Sequence, residues 1–280
     1  MTSINFDNTY KSIANYILTE GKTQVHEKDS GLVESLAVFN VAWSFPGHIV
    51  PILSLRKMPL NTLIAELNWI LSGSSNVRDL GKYSHIWEPW ADVDGYLPSS
   101  YGRYLTAFPR IMASNLKTGE ANTGGYYVNQ LHKVVQGLAK PYPSRRLQVT
   151  LNHPDNFWSS ELPPCMSGLG FNWYVDPDQP DVRQVILNIK FRSSDFALGF
   201  TFDILQWYLV AQMMLSWTSV LSGHKYNLSA YSFSADNQHI YSEHIEGIKE
   251  LIKRPSGPLV YWSNNLPEDS QLAHLGFTPD

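Results

Sequence analysis

The chain contains a single cysteine, Cys165, which directly follows Pro163 and Pro164. The two prolines restrict the backbone and hold this cysteine on a defined turn. A lone cysteine is more commonly a small buried hydrophobic residue than a nucleophile. Nucleophilic use would require a cationic neighbour that stabilises the thiolate. The sequence therefore makes Cys165 a candidate nucleophile and leaves the packing alternative open.

Arginines that could bind a phosphate stand in two places. Arg145 and Arg146 come just before a predicted strand, and Arg192 ends another strand and is followed by Ser193 and Ser194. A guanidinium group beside hydroxyl groups can bind phosphate through bidentate and ordinary hydrogen bonds. Surface ion pairs explain the same residues equally well, so local sequence leaves both interpretations open.

Four other polar residues have both a structural and a chemical interpretation. Glu66 lies at the edge of an apolar helical stripe, as either a solvated flank residue or a site residue. Asp203 lies at the start of an apolar helix, where a cap or dipole partner is expected. His239 and Tyr241 alternate on a predicted strand and point the same way, so both could bind a sugar hydroxyl. Packing in a half-buried sheet is the commoner reason for that last pattern.

Hydrophobic periodicity predicts an α+β fold in one domain that spans residues 1–280. Helices are predicted at residues 9–20, 59–72 and 242–254, and from about Asp203 through the apolar stretch 204–220. Strands are predicted at residues 35–45, 146–151 and 185–191, with short strand or loop pieces at 226–231 and 238–241. Residues 74–109 are loop-like but rich in Trp and Tyr, which is typical of a functional loop. Residues 118–125 are predicted to form an exposed excursion.

Composition narrows the class of protein further. Hydrophobic residues make up 43% of the chain and charged residues 16%, which is enough apolar material for a sizeable core. The net charge of -4 argues against a surface that coats nucleic acid. The stretch 204–220 is interrupted by glutamine and serine, which indicates a buried helix rather than a membrane span. We therefore expect no direct nucleic-acid binding and no membrane partner.

Cysteine usage and the N-terminus bear on the cellular compartment, and motifs bear on nucleotide and metal binding. One cysteine forms no intramolecular disulfide, which favours a reducing compartment, and the polar N-terminus lacks the apolar run of a signal peptide. We therefore expect a cytoplasmic protein. The sequence has no Walker loop, dinucleotide fingerprint or zinc-ligand spacing.

Several segments in a fixed order resemble the thymidylate synthase family across residues 35–254. The matching segments are AELNWILSGSSNV, IWEPWADVDGYLPSSYGRY, SRR, PPC, RSSDFALGFTFD and HIYSEHIE. Each is weak alone, and together they form a strong signature. The resemblance implies a mixed β-sheet flanked by helices, in a homodimer that pairs through the sheet. It also implies a pyrimidine nucleoside monophosphate as substrate, 5,10-methylenetetrahydrofolate as co-substrate and no metal.

The same resemblance implies a role for each matching residue. Cys165 would add to C6 of the pyrimidine, Glu66 would organise water and proton transfers, and Tyr101 would lie near the catalytic centre. Nucleotide-binding residues would be Arg192 and Ser193 for the 5′-phosphate, Arg145 and Arg146 for the same phosphate from the other subunit, and His239 and Tyr241 for the 3′-hydroxyl. Residues on the folate side would be Trp87, Trp90, Asp195, Leu198 and Gly199.

One departure from the family bears on the base. The chain reads Thr201-Phe202-Asp203 where thymidylate synthases usually read Pro-Phe-Asn. An asparagine amide can pair with uracil O4 and N3–H, whereas an ionised aspartate offers only acceptors. Cytosine presents an amino donor and can share a proton at N3, so Asp203 predicts cytosine over uracil, by on the order of several kcal/mol. This aspartate context resembles the deoxycytidylate hydroxymethylases, and Met166 likewise replaces the histidine that usually follows the family's cysteine.

Two further departures concern phosphate binding and closure of the site. Ser30 stands where the family has an arginine, with Lys28 as a possible replacement, and the C-terminal HLGFTPD differs from the family's apolar closing tail. Closure excludes water, and a site that admits water favours hydroxymethylation over hydride transfer. The chain is therefore expected to convert dCMP or CMP to the 5-hydroxymethyl nucleotide, with Ser193 favouring dCMP. Alternatives are a CMP-specific hydroxymethylase of nucleoside natural-product biosynthesis, a thymidylate synthase acting on dUMP, and an inactive nucleotide-binding homologue.

Overall fold

The computed structural model describes residues 5–28, 31–112, 122–153, 157, 162–258 and 260. Its helices are α1 (Phe6–Glu20), α2 (Leu60–Ser72), α3 (Tyr101–Thr106), α4 (Gln130–Leu138), α5 (Gly199–Ser222) and α6 (Ser242–Leu251), with 3-10 helices at Val77–Ile86 and Glu88–Trp90. Its strands are β1 (Lys22–Lys28), β2 (Gly31–Pro46), β3 (Phe108–Met112), β4 (Asn122–Val128), β5 (Gln148–Thr150), β6 (Met166–Asp176), β7 (Gln179–Phe191), β8 (Ser194–Asp195) and β9 (Lys225–Tyr241).

The main sheet has the strand order β1-β2-β9-β7-β6-β5, and β8 pairs with β9. Strand β9 runs parallel to β7 and β8, and the other neighbouring pairs on this path are antiparallel. The sheet is therefore mixed, as predicted. Strands β3 and β4 form a separate two-stranded sheet.

Aromatic packing fixes the start of α5 against the sheet. Phe200 in the first turn of α5 stacks near Phe6 and Tyr10 of α1 and meets Phe233 of β9 edge to face at 4.9 Å. These rings are fully or almost fully buried, and each such side chain stabilises the fold by roughly 1.5–3 kcal/mol. Because Asp203 follows one turn later, this packing also fixes where its carboxyl group lies.

Helix boundaries agree well with the periodicity. Helix α1 begins slightly earlier than predicted, because the Asn5 side chain caps it by accepting a hydrogen bond from the Asp7 backbone N–H. Helix α2 ends at Gly73, whose φ of 75° suits glycine, and the predicted buried helix at 204–220 lies within α5. Helix α5 begins at Gly199, so the prediction that it begins at about Asp203 is wrong.

The prediction differs from the structure in several other places. Residues 226–231 and 238–241 are parts of one continuous strand, β9, rather than separate pieces. The residues between those two pieces include Asp236 and Asn237, which are types that favour turns in local sequence. The stretch 74–109 contains two 3-10 helices, α3 and the start of β3, where a loop was predicted. Within 118–125, the last four residues belong to β4 and the others lie outside the described residues, as do Ser30 and the C-terminal HLGFTPD.

Candidate active site

Arg192 clamps the turn that carries Cys165. Its Nε donates to the Pro164 carbonyl and its Nη2 to the Pro163 carbonyl, each at 2.8 Å. The same Nη2 lies 4.0 Å from Cys165 Sγ, and the backbone N–H of Arg192 donates to the Cys165 carbonyl at 2.9 Å. The end of β7 therefore places a guanidinium group beside the candidate nucleophile.

Opposing effects act on the Cys165 thiol. Burial raises its pKa, the positive charge of Arg192 lowers it, and the negative charges of Asp203 and Asp195 raise it again. The net direction is upward, so the thiol favours its protonated form in the free protein. Arg192 is the cation that the chemistry of a thiolate requires at this position.

Glu66 lies on the buried face of α2 with a hydrogen bond to each carboxylate oxygen. Trp87 Nε1 donates to Oε1 and Gln206 Nε2 donates to Oε2, both at 2.7 Å. Burial raises the pKa of Glu66, and the two hydrogen bonds act in the opposite direction. Its carboxyl group is held rigidly and can exchange protons nearer to neutral pH than an exposed glutamate.

Asp203 lies inside α5 rather than at its cap. It is Asp195 that accepts hydrogen bonds ahead of this helix, from the backbone N–H groups of Ala197 and Leu198. Burial raises the pKa of Asp203 well above its ordinary value, and the negative charges of Glu66 and Asp195 add to that effect. A Cβ placed on Gly199 would lie 3.2 Å from Asp203 Oδ2, so the glycine leaves room beside the carboxyl group.

Tyr101 links α3 to the strand that follows Cys165. Its hydroxyl oxygen accepts a hydrogen bond from the Met166 backbone N–H at 3.4 Å, and its ring lies 6.0 Å from that of Trp207. Burial raises the pKa of Tyr101 well above its ordinary value, so the phenol stays protonated. A buried phenol of this kind can donate a hydrogen bond to a ligand beside Cys165.

A pocket opens in front of Cys165, and its empty space together with the solvent at its mouth is about 350 Å³. The residues that line it are Trp69, Ile70, Trp87, Leu97, Ser99, Ser100, Tyr101, Leu162, Pro163, Pro164 and Cys165. Trp87 stands between Trp69 and Trp90, at ring distances of 6.5 Å and 5.8 Å. Trp90 is 41% exposed, and Leu198, which directly precedes α5, is 54% exposed. An aromatic wall of this size suits a flat, ring-shaped ligand.

The end of β9 carries His239 and Tyr241. His239 Nδ1 lies 2.9 Å from Asn237 Oδ1, and the His239 and Tyr241 rings meet edge to face at 4.9 Å. Strand β8 pairs with this part of β9, and the Phe196 N–H donates to the His239 carbonyl. The sheet therefore brings the segment after Arg192 beside His239.

Arg145 and Arg146 lie in an exposed turn between α4 and β5. Neither lines the pocket, and among the described residues neither guanidinium group has a hydrogen-bond or ion-pair partner. Within one chain, the structure does not bring these arginines to Cys165.

Gln206 was missed in the sequence, although a signal for it exists. It is a buried glutamine in a largely apolar helix, three residues after Asp203 and so on the same face. A polar residue in that position needs a partner, and here the partner is Glu66. Ser99 and Ser100 were also missed, because nothing in their local pattern indicates a pocket.

The described part of the chain offers neither a cluster of metal ligands nor a membrane-spanning helix. Among the residues that the structure describes, no group of three or more His, Cys, Asp or Glu side chains could hold a metal ion. No helix in the described part of the chain combines the length and apolar character that a membrane crossing needs.

Comparison with known proteins gives a consistent result. The sequence model of the thymidylate synthase family matches residues 8–275. Thymidylate synthase of Bacillus mojavensis is 30% identical over 258 residues, which cover 89% of this chain and 84% of that protein. Thymidylate synthase of Bacillus phage phi3T is 29% identical with the same coverage. The solved structure of thermostable thymidylate synthase A from Bacillus subtilis matches with a TM-score of 0.71 and 28% identity, covering 91% of this chain and 86% of that one.

Proposed function

This chain belongs to the thymidylate synthase family and has its fold, and from that premise we propose that it converts a cytidylate nucleotide, dCMP or CMP, to the 5-hydroxymethyl nucleotide. Enzymes of this family are one-carbon transferases that bind a pyrimidine nucleotide and use methylenetetrahydrofolate as co-substrate. This proposal adds two points: the base is cytosine, and water rather than hydride adds to the transferred carbon.

The single observation that carries the choice of base is the environment of Asp203. Burial raises the pKa of its carboxyl group well above the ordinary value, which favours the protonated form. A protonated carboxyl can donate to cytosine N3 while its other oxygen accepts from the N4 amino group. Cytosine N3 is a much stronger base than uracil O4, so the proton is shared more strongly with cytosine. Sharing it withdraws electrons from the ring and makes C6 a better target for a nucleophile.

The residues around Cys165 then have definite tasks. The Sγ thiolate, stabilised by Arg192, adds to C6 and makes C5 nucleophilic. Bound methylenetetrahydrofolate supplies the one-carbon unit to C5. Glu66, held by Trp87 and Gln206, accepts and returns protons through water. Tyr101 donates a hydrogen bond beside the reacting carbon.

The nucleotide's phosphate and sugar are proposed to bind on the β9 side of Cys165. Arg192 uses Nε and Nη2 on the proline carbonyls, which leaves Nη1 and the Ser193 hydroxyl for the phosphate. His239 and Tyr241, at the end of β9, are proposed to hydrogen-bond the 3′-hydroxyl. The Ser193 hydroxyl favours dCMP over CMP in this proposal.

The folate side and the assembly complete the proposal. The proposed folate contacts come from two places. Trp87 and its neighbour Trp90 lie at the aromatic pocket, and Asp195, Leu198 and Gly199 lie at or just before the start of α5.

The whole chain, 1–280, is proposed to act as one domain in a cytoplasmic homodimer. Arg145 and Arg146, exposed in one chain, would reach the phosphate of the other subunit.

The direct test is product formation with each nucleotide. Purified protein is incubated with methylenetetrahydrofolate and with dCMP, CMP or dUMP labelled with tritium at C5. The proposal expects tritium release and a 5-hydroxymethyl product from a cytosine nucleotide, and little release from dUMP. A 5-methyl product from a cytosine nucleotide would contradict it.

Thymidylate synthesis from dUMP is the second candidate, and two observations favour it. The relatives that match this chain bear the name thymidylate synthase. A protonated Asp203 can also donate to uracil O4 while it accepts from N3–H, so the raised pKa does not reject uracil by itself. Turnover of dUMP with release of dihydrofolate, followed by its absorbance, would establish this candidate.

A further inference from the structure

The pocket in front of Cys165 has an apolar wall with few polar side chains. Among the described residues that line it, Trp87 donates to Glu66 and Trp69 donates to the Asn76 carbonyl. The Tyr101 hydroxyl accepts from the Met166 N–H. These polar groups are already bonded to the protein and are fixed by those bonds.

Ser99 is different from the other polar residues of this wall. It is 95% buried, and within the described part of the chain its hydroxyl has no hydrogen-bond partner. Its hydroxyl oxygen is not itself fully buried and lines the pocket, so it is available to bond a hydrogen-bonding occupant there.

The backbone on both sides of Ser99 is fixed. The Leu97 N–H donates to the Ser75 carbonyl at 2.8 Å, and the Ser100 N–H donates to the Leu97 carbonyl at 3.1 Å. The Ser75 and Ser100 hydroxyls are 2.8 Å apart and bonded to each other. Ser100 then begins α3 as its N-cap residue. The Ser99 side chain is therefore presented to the pocket by a turn that is held at both ends.

We propose that Ser99 is a specificity-determining residue that holds, in the pocket in front of Cys165, the water that adds to the methylene carbon on C5. This inference rests on the proposed hydroxymethylation. A serine hydroxyl has one donor and two acceptor positions, so it can accept from a water and keep the water's lone pair directed at the carbon. A water held at this position favours water addition to the methylene carbon. Reduction of the same carbon to a methyl group does not involve an ordered water.

The step balances without a further reactant. After the folate has left, the pyrimidine carries an exocyclic C5=CH2 group and a C6–Sγ bond to Cys165. The water oxygen forms a bond to the methylene carbon, and the electron pair of that double bond moves into the ring. The ring re-forms its C5=C6 bond and expels Sγ with its electron pair. The proton that the water loses balances the thiolate that leaves.

The experiment compares the wild-type protein with Ser99→Ala and with a control, Ser75→Ala. Ser75 does not line the pocket, yet its replacement breaks the hydrogen bond to Ser100 in the same turn. Each protein receives C5-tritiated cytosine nucleotide, methylenetetrahydrofolate and 2-mercaptoethanol, a competing nucleophile for the methylene carbon. Tritium release reports the steps before water addition. The ratio of hydroxymethyl product to thioether reports the addition itself.

Ser99→Ala is expected to keep tritium release close to that of the wild-type protein. Its ratio of hydroxymethyl product to thioether is expected to fall by about fivefold, the effect of losing one hydrogen bond. Ser75→Ala is expected to keep the wild-type ratio. Should Ser99→Ala fail to fold, Ser99→Gly removes the same hydroxyl and allows the same comparison.

Two results would overturn the inference, and they differ from failure of the proposed function. An unchanged product ratio in Ser99→Ala, with the wild-type protein making hydroxymethyl nucleotide, would remove Ser99 from the addition step alone. An equal fall in tritium release and product would assign Ser99 to folding or substrate binding. Absence of hydroxymethyl product from the wild-type protein would overturn the proposed function, and this inference with it.

Discussion

Gln206 of α5 donates a hydrogen bond to Glu66 of α2 at 2.7 Å, which ties this glutamate to the helix that carries Asp203. The two helices are separated by 140 positions in the sequence at this contact. Because Asp203 lies three residues before Gln206, one face of α5 positions both the group proposed to read the base and the group proposed to move protons. Changes at Gln206 should therefore affect catalysis through Glu66.

Gln206→Leu should move the pH dependence of the reaction upward. The Gln206 hydrogen bond lowers the pKa of Glu66 against the effect of burial, so removing it raises that pKa further. The ionisation in kcat/KM that belongs to Glu66 then shifts to higher pH, and activity at neutral pH falls by about tenfold. Gln212→Leu is the matched control, because Gln212 is a buried glutamine of the same helix that bonds Tyr208 instead.

The same variant has a consequence for stability. The pKa of Glu66 is higher in the folded protein than in the unfolded chain, so folding is favoured at low pH and weakened as pH rises through the interval between the two values. Gln206→Leu should extend that loss toward higher pH. Urea unfolding at several pH values measures it. An identical pH profile for the Gln206 and Gln212 variants would contradict the role given to the Glu66–Gln206 bond.

Arg192→Gln should make the Cys165 thiol harder to ionise. The positive charge of Arg192 lowers the pKa of this thiol, while burial and two nearby carboxylates raise it. Without the guanidinium group, alkylation of Cys165 by iodoacetamide should require a higher pH. Lys190→Gln removes a nearby exposed charge that bonds Gln148 and serves as the control. A midpoint of alkylation that does not move in Arg192→Gln would mean that Arg192 does not act on the thiol.

Cys165→Ala separates an enzyme from an inactive nucleotide-binding homologue. Removal of the thiol should abolish turnover, since no covalent bond to C6 can form. Nucleotide affinity, measured by calorimetry, should change little, because the phosphate and sugar contacts remain. Tritium release that persists in Cys165→Ala would contradict the covalent mechanism. A wild-type protein that binds nucleotide but never releases tritium would support the binding homologue.

Mixed dimers test whether Arg145 acts across the subunit interface. Cys165→Ala and Arg145→Ala proteins are each inactive or weak alone. After they are unfolded and refolded together in equal amounts, half of the dimers contain one of each chain, and each such dimer has one complete site. About a quarter of wild-type activity should return in a symmetric dimer of this kind. If Arg145 served the site of its own chain, mixing would restore nothing.

The sequence predicted the fold better than it predicted the contacts of the site. Periodicity located α1, α2, α5 and α6, because each has an apolar stripe or an apolar length that local sequence displays. It divided β9, because the Asp236 and Asn237 side chains within this strand are types that favour turns. The resemblance to the family indicated candidate site residues, but their mutual geometry depends on long-range packing.

Three contacts show why the geometry of the site could not be predicted from the sequence. The Trp87–Glu66 bond, the Gln206–Glu66 bond and the Ser75–Ser100 bond each join residues from different elements. No spacing rule connects such positions, since the chain between them can take many paths. Arg145 illustrates a further limit, because a residue proposed to serve another subunit has no bonding partner within the described part of its own chain.

The most direct measurement of the central claim is the ratio of kcat/KM for dCMP to that for dUMP, in the wild-type protein and in Asp203→Asn. The account predicts that the wild-type ratio strongly favours dCMP and that Asp203→Asn reverses it toward dUMP, because an amide pairs with uracil O4 and N3–H. The total change should be on the order of a hundredfold or more, as expected for a buried polar mismatch. A wild-type protein that already prefers dUMP, or a ratio that Asp203→Asn leaves unchanged, would contradict the account.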